Sequence, residues 1–470
     1  MSSKYKYLSK NIFLFGISSF GPKILVFLLV PLYTRCLTTA EYGIADVITS
    51  TSSLLMPLLI LVIQDAVMRF SIDRNYNEGK VLTNSLWICM RGMLIAGLLV
   101  FLMIFIQFGI KDKILYLYLF LLILVNALYN IAISFARGID KINVIVEMSL
   151  ISTLGTCISN IVLLVIFNIG VHGYLLSSII GPSVSVIWVM FRVNIFSYIK
   201  ISYLDRDLRN EMQKFSIPLV ANKLAWWINN LSDRYIVTWL CGVSSNGIYS
   251  VAYKIPTILT TCSDVFSQAW QLSAIKELEE NKNIGFITKM YELYNFLLVI
   301  CCSFIMILNI PLASILYANN FFAAWKNVPF LLISVVFGGL SGFTGSLFMA
   351  LKATKNFSRA TIIGAVFNII TSYIFVALFG PIGAALGTML SYILIWIIRM
   401  IDLKKFIVLK INWKNSLLMY SMLFLQAVIS LFGQSFKIII LQIFIIFLII
   451  LINQNYLMVL IGLVRKKIRR

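Results

Sequence analysis

Residues 11–70 are two long apolar stretches joined by one short polar turn. A hydrocarbon core about 30 Å thick needs ~20 apolar residues of helix, and each stretch supplies that. Lipid offers backbone groups no partners, so only helices and closed barrels span it. Outer-membrane strands alternate apolar and polar with period two, whereas the apolar runs here are continuous. With 60% hydrophobic and 12% charged residues over 470 positions and a mean hydropathy of +0.94, the chain fits no soluble class. It reads as an all-α polytopic membrane protein.

Windowed hydropathy suggests about fourteen spans, at 10–34, 42–68, 81–109, 113–136, 144–168, 173–196, 213–240, 246–273, 286–316, 327–351, 359–379, 382–402, 413–432 and 437–464. The first run is too long for the h-region of a signal peptide and no small-residue cleavage site follows it, so none is expected. Positive charge checks the count. With the N-terminus inside, 29 of the 39 Lys and Arg residues fall in inside segments and 5 outside, the remaining 5 lying within spans. One span more or fewer would invert every later loop and erase this bias. The net charge of +21 is therefore mostly topological, set beside an anionic inner leaflet, and no nucleic-acid partner is expected.

The chain also repeats. Residues 37–47 (LTTAEYGIADV) resemble 241–251 (CGVSSNGIYSV), 136–141 (ARGIDK) resemble 350–355 (ALKATK), and 169–173 (IGVHG) resemble 379–383 (FGPIG). The near-constant offset maps spans one to six onto seven to twelve. Six is even, so both halves run the same way through the membrane. The expected organisation is a six-helix lobe at 1–196, a cytoplasmic linker at 197–212, a second six-helix lobe at 213–403, and two extra spans with a basic tail at 404–470.

Soluble-enzyme chemistry has little to build on. The seven cysteines form no metal-type cluster, and Cys301-Cys302 sit inside an apolar run. His172 is the sole histidine. There is no Walker-type phosphate loop and no cofactor is expected.

The informative chemistry lies within the spans. Lys23 falls near the middle of span one, a depth where a charge persists mainly by facing a bundle interior or a wet cavity. In span seven, Lys223, Trp227, Asn230 and Arg234 are spaced 4, 3 and 4, on one helical face. Span eight carries Lys254, Thr257, Thr261, Asp264, Gln268 and Gln271 at alternating spacings of 3 and 4, a polar stripe along most of its length. Span two has a sparser version in Asp46, Ser50, Ser53 and Gln64, with Asp65 near its end. Thr, Ser and Gln can act as interhelical glue, as can the small residues at 338–346. Five embedded cations (Lys23, Arg91, Lys223, Arg234 and Lys254) call for more, and they outnumber the deep acids Asp233 and Asp264. A cation-rich pathway suits an anionic cargo, phosphate above all.

The segment FLLVPLYTRCLTTAEYGIADVITS, followed by LVIQDAVMRF, resembles the N-terminal signature of bacterial oligosaccharide (O-antigen unit) flippases. These belong to the multidrug/oligosaccharidyl-lipid/polysaccharide exporter superfamily. The resemblance is densest over residues 10–80. It implies a V-shaped, multidrug-and-toxin-extrusion-like pair of lobes and a cationic cavity lined by spans one, two, seven and eight. The implied activity is not enzymatic. It is alternating-access transfer of undecaprenyl-pyrophosphate-linked oligosaccharide, for O-antigen or capsule, to the outer face of the inner membrane, coupled to an ion gradient. On this reading Lys23, Arg91, Lys223, Arg234 and Lys254 bind substrate, and Asp46, Trp227, Asn230, Thr257, Thr261 and Gln268 line the cavity. Asp264 and Asp65 are the ion-coupling candidates. Implied partners are membrane lipids, a polysaccharide polymerase and a chain-length regulator, with both termini cytoplasmic. The rival readings are a cation-coupled drug antiporter, a peptidoglycan or teichoic-type precursor flippase, and a polysaccharide polymerase or ligase.

The charge count makes a direct prediction. A reporter active only outside the cytoplasm should be active when inserted near residue 320 and silent near residue 205; the reverse pattern would overturn the topology.

Overall fold

The computed structural model of the protein describes residues 24–73, 75–106, 112–278, 283–433, 435–454 and 456, and within them it is helical throughout, without strands. It divides into two compact units, Met1–Trp227 and Ile228–Arg470. Among the described residues eight helices are long and apolar enough to cross a membrane, or nine if one bent pair counts as a single span.

In the first unit α1 (Val30–Cys36) leads into α2 (Thr39–Ile60). The Thr38 hydroxyl accepts from the Glu41 amide at 3.2 Å, while the Glu41 carboxylate accepts from the Thr38 amide at 2.8 Å. This capping box pairs two otherwise orphaned donors and fixes where the helix begins. The rings of Tyr33 and Tyr42 then pack on Tyr174 at 4.9 and 5.7 Å. The motif that carries the family resemblance thus does local structural work.

Span two is broken. Leu61 and Val62 both adopt left-handed backbone, φ 54°, and α3 (Ile63–Ile72) leaves at 54° to α2. A β-branched residue there is strained, so the surroundings must hold it. They do so through α4 (Glu78–Ile106), whose Gly92 lies against the Leu59 carbonyl with no room for a Cβ. The unit continues with α5 (Ile114–Gly138), α6 (Ile142–Asn160, extended by a π-helical stretch to Ile166) and α7 (Gly170–Arg192). His172 lies 3.3 Å from Asp112, joining the starts of α7 and α5.

A single 36-residue helix, α8 (Arg206–Cys241), starts in the first unit and ends in the second. The segment before it is fastened to the start of α4. The Thr83 hydroxyl donates to the Tyr198 carbonyl, the Asn84 amide donates to the Tyr203 carbonyl, and the Asp205 amide donates to Asn84 Oδ1, at 3.0–3.2 Å. Lys80 pairs with Asp205 at 3.2 Å. The Leu208 amide and then the Lys80 ammonium hold the Asp205 carboxyl below the usual carboxylate range, so this clamp is charged at neutral pH.

The second unit holds α9 (Val243–Ala252), α10 (Pro256–Lys276), α11 (Ile284–Ile307), α12 (Val328–Ala350), α13 (Thr354–Phe379), α14 (Pro381–Leu403), α15 (Trp413–Ser430) and α16 (Phe436–Ile452). The repeat read in the sequence is present in the backbone. Gly170 and Gly380 open α7 and α14 with φ of 54° and 64°. Asp140 and Lys352 both take φ 57° in the turns before α6 and α13, two residues out of step with the sequence pairing of those turns. Among the described helices the pairs α6/α7 and α13/α14 share the most extensive contacts. At α13/α14 the approach is set by Gly383, where a Cβ would overlap the Phe375 carbonyl.

Eight of the expected spans, from 81–109 to 173–196 and from 286–316 to 382–402, appear as uninterrupted crossing helices; the count of fourteen is not established. Span seven is too polar along α8 to qualify on hydropathy, and span eight is interrupted at 253–255, ahead of Pro256. Most of span one and the end of span fourteen lie outside the described residues.

Replacing Gly92 with Leu should cost about 1–3 kcal/mol by overpacking and lower the melting temperature in detergent. Gly97→Ala, whose Cβ would meet only Phe120 at an ordinary 3.7 Å, should melt like the parent.

Candidate functional site

Lys23 lies outside the described residues. Of the remaining first-unit candidates, Asp46 and Asp65 are half-buried on α2 and α3. Arg91 is exposed, its guanidinium 4.8 Å from the centre of the Trp87 ring; Arg209 occupies the same ring at 3.9 Å. Lys223 is exposed, as is Trp226. Trp227 is buried, and its indole N–H donates to the Ser50 carbonyl at 3.0 Å and the Ser53 hydroxyl at 3.1 Å. It pins α8 to α2, so the 4-3-4 spacing does not make four equivalent lining residues. Asn222, Lys223 and Trp226 instead form an exposed cluster.

In the second unit the span-eight stripe keeps its register. Lys254, Thr257, Thr261 and Asp264 are half-buried and Gln268 and Gln271 exposed, while Leu259, Ser263, Trp270 and Ala274 face into the packed side. The packed side is aromatic: Phe266 stacks on Tyr294 at 3.9 Å and Trp270 on Phe343 at 4.2 Å. The Thr257 and Thr261 hydroxyls donate to carbonyls one turn back, both at 2.8 Å, which satisfies them within the helix. Lys254 sits in the break between α9 and α10. Asn230 accepts from the Tyr392 hydroxyl at 2.8 Å, and the Arg234 guanidinium lies 5.3 Å from the Tyr253 ring centre.

The structure brings together a group that the sequence reading left out of its site. Asp233, only 1% exposed, accepts on one carboxylate oxygen from the hydroxyls of Tyr249, Tyr253 and Thr388, the latter two at 2.8 and 3.0 Å. Its other oxygen, Oδ1, is buried with no hydrogen-bond partner among the described residues. Around it Asn368 contacts Ser232 and Thr388 at 3.3 and 3.5 Å, and the Ser372 hydroxyl is likewise buried without a partner. Apart from the half-buried Tyr253, these are buried groups that present oxygen, the set that suits a proton or a hard cation. The only sequence signal was the pair Tyr249 and Tyr253, one helical turn apart across from a deep acid. Among the described residues no three His, Cys, Asp or Glu side chains form a metal-type cluster.

A cleft of about 570 Å³ opens where the 197–205 segment meets α4, lined by Asn75, Tyr76, Asn77, Tyr198 and Tyr203 among others; of the embedded cations among the described residues none lines it.

Residues 8–271, more than half of the chain, match the model of a family described as polysaccharide biosynthesis protein. The chain belongs to that family. Within the curated proteins, this polysaccharide biosynthesis family member is 23% identical over 322 residues to the probable low-salt glycan biosynthesis flippase Agl15 of Haloferax volcanii. The match takes in 65% of this chain and 66% of that relative, just under two thirds of its length. A solved structure of the lipid II flippase MurJ, in an inward closed conformation, superposes with a TM-score of 0.70 over 96% of this chain and 100% of that one, at 19% identity. An inward-facing multidrug resistance MATE family transporter of the MOP superfamily superposes at 0.62 over 82% of this chain and 100% of that one, at 14% identity. At these identities the two structures show a shared fold, the one that the resemblance implied.

The Asp233 group yields a stability prediction. Asp233→Ala removes the shared acceptor of three hydroxyls, of which Tyr249 and Tyr253 can still pair with each other, and should cost about 1–3 kcal/mol. Gln268→Ala, on the exposed face, should shift the melting temperature little.

Proposed function

We propose that the protein is a flippase for lipid-linked glycans. Its cargo would be an undecaprenyl-pyrophosphate-linked oligosaccharide, an O-antigen or capsule unit, moved from the cytoplasmic to the outer face of a bacterial inner membrane. What carries the reading is that a polysaccharide biosynthesis family member is built of membrane-crossing helices. Sugar chemistry on a polyprenyl carrier and a multi-pass chain without an evident catalytic centre meet in one step, the transfer of a charged headgroup across hydrocarbon. The relative named as a glycan biosynthesis flippase supports the same step. On this proposal Lys23, Arg91, Lys223, Arg234 and Lys254 meet the pyrophosphate in turn. That lowers the main barrier, which is desolvation of the anion. A polymerase and a chain-length regulator would act on the delivered unit.

Ion coupling belongs to the same proposal. Asp264 and Asp65 are half-buried, whereas Asp233 is buried and carries an oxygen without a partner. Asp233 is therefore the stronger coupling candidate: its occupancy by a proton or cation would alter the hydrogen bonding of Tyr249, Tyr253 and Thr388 together.

The test is the sidedness of lipid-linked oligosaccharide in spheroplasts lacking the polymerase, read with a lectin that cannot cross the membrane. The outward-facing fraction should fall to background without this protein and return with it. Lys223→Gln, Arg234→Gln and Lys254→Gln should each lower it about tenfold, the weight of one charge-assisted contact. Arg-for-Lys exchange should retain part of it. Asp233→Asn should remove the dependence on the ion gradient in a chain that still purifies as a single species. An unchanged outward fraction in the protein's absence, with no second flippase present, would overturn the proposal.

A further inference from the structure

Two segments outside the crossing helices display large apolar side chains in fixed outward positions. The first follows α7. Asn194, in left-handed backbone with φ 55°, turns the chain, and Ile195–Tyr198 and Ile201–Tyr203 form two short helical turns. One side of this ribbon is committed: Val193 and Ile195 are buried, the Tyr198 ring packs on Phe135 at 5.2 Å, and Thr83, Asn84 and Lys80 fasten the backbone and Asp205. The other side presents Phe196, Ile199, Ile201 and Leu204, with Ile201 89% exposed. Exposed basic residues lie among and beside them: Lys200 and Arg206, and Arg192, which is 3.4 Å from Glu147.

The second follows α14. From Ile407 the chain is extended and burial alternates with period two: Ile407, Leu409 and Ile411 face in, while Phe406, Val408 and Lys410 face out, Val408 61% exposed. It too is fastened, by the Ile407 amide on the Leu403 carbonyl at 2.8 Å and by the Asn412 amide on the Glu292 carboxylate at 3.1 Å. Lys404, Lys405 and Lys410 flank the exposed pair.

We propose that residues 196–204 and 404–410 are interfacial anchors, their apolar side chains seated at the headgroup–acyl boundary and their basic side chains on the phosphates of an anionic leaflet. The physical reasons are three. Apolar side chains locked outward cannot turn in to hide from water, so they need an apolar cover. Rows of apolar residues interleaved with Lys and Arg match an anionic bilayer interface, which offers acyl chains and negative charge a few ångströms apart. And the two segments, unlike in sequence and local structure, share one position: each directly follows the sixth span of its repeat, within a few residues of the end of a crossing helix. The bilayer surface is the cover that this position provides in both halves. The sidedness rests on the charge-based topology and not on the nature of the cargo.

The experiment places the photoreactive residue benzoylphenylalanine at 201 or 408 of the full chain, in vesicles of phosphatidylglycerol and phosphatidylethanolamine, with mass spectrometry of the irradiated protein. Lipid adducts should form at both positions at a yield within about twofold of position 98, an exposed site on the crossing helix α4, and should be near background at Asn210, an exposed polar site. Lys200→Glu with Arg206→Glu should lower the adduct yield at 201 at least threefold in these vesicles and leave it unchanged in phosphatidylcholine. Background yields at 201 and 408, with normal yield at 98, would overturn the proposal. So would cross-links at 201 and 408 that run to a second protein chain instead of lipid. Both outcomes are read without transport, so they stand apart from success or failure of the flippase reading.

Discussion

Hydrocarbon does not solvate polar groups, and the rest of the structure follows from that. Backbone groups are met by helix formation, but a membrane helix that carries Asn, Thr, Asp or Arg must find partners for each of them. The second unit meets the demand by linking helices through side chains. Asn229 reaches the Thr361 carbonyl and receives the Ser391 hydroxyl, tying α8 to α13 and α14. Ser303 and Gln426 exchange two hydrogen bonds, and Asn295 receives the Tyr420 hydroxyl, so α15 is fixed to α11 by polar contacts as well as by shape. Such contacts average only ~0.6 kcal/mol each in a membrane, so their value lies as much in specifying one packing as in strength.

Arg399 shows the same constraint at a helix end. Counted with the inside charges at the end of the expected span 382–402, it is buried near the end of α14. There its guanidinium donates to the Ser341 carbonyl at 2.6 Å and the Thr361 hydroxyl at 2.8 Å, and lies over the Phe357 ring at 4.1 Å. It joins α12, α13 and α14. Nearby, Arg359 and Lys405 close on Asp402 at 2.6 and 3.2 Å. The small residues of α12 let these partners in: Gly345 lies against Phe357 and Arg399, and Gly339 against Leu298 and Tyr294. A carbonyl acceptor, a hydroxyl and a ring face replace part of the water that the guanidinium loses, its Nε having no partner among the described residues.

Against this background the Asp233 group differs from the rest of the network. Elsewhere in the second unit most buried polar side chains bond a neighbouring helix or turn back on their own, although the Ser372 hydroxyl and Arg399 Nε also lack a partner among the described residues. Asp233 instead gathers three hydroxyls on one oxygen and leaves the other with none. A carboxylate that was purely structural would be expected to use both. Family membership says that the chain serves polysaccharide biosynthesis, and the shared fold says how it is built. Neither identifies the residues that work, and a buried acid that gathers three hydroxyls is the most specific pointer that the geometry gives.

Much of the fold was legible in the chain itself. Eight spans and the repeat follow from local rules, namely apolar length and turn geometry, and these need only neighbouring residues. The span-eight stripe was legible for the same reason, because helical periodicity assigns a face without reference to partners. Tertiary structure decided what lies on the other side of each face. It buried Trp227 against Ser50 and Ser53 although its spacing matched that of Lys223 and Arg234. It buried Arg399 among α12, α13 and α14, and it assembled Asp233, Tyr249, Tyr253 and Thr388 from positions up to 155 residues apart. Hydropathy and period are properties of one helix, whereas burial and hydrogen-bond partners are properties of the neighbours that packing supplies.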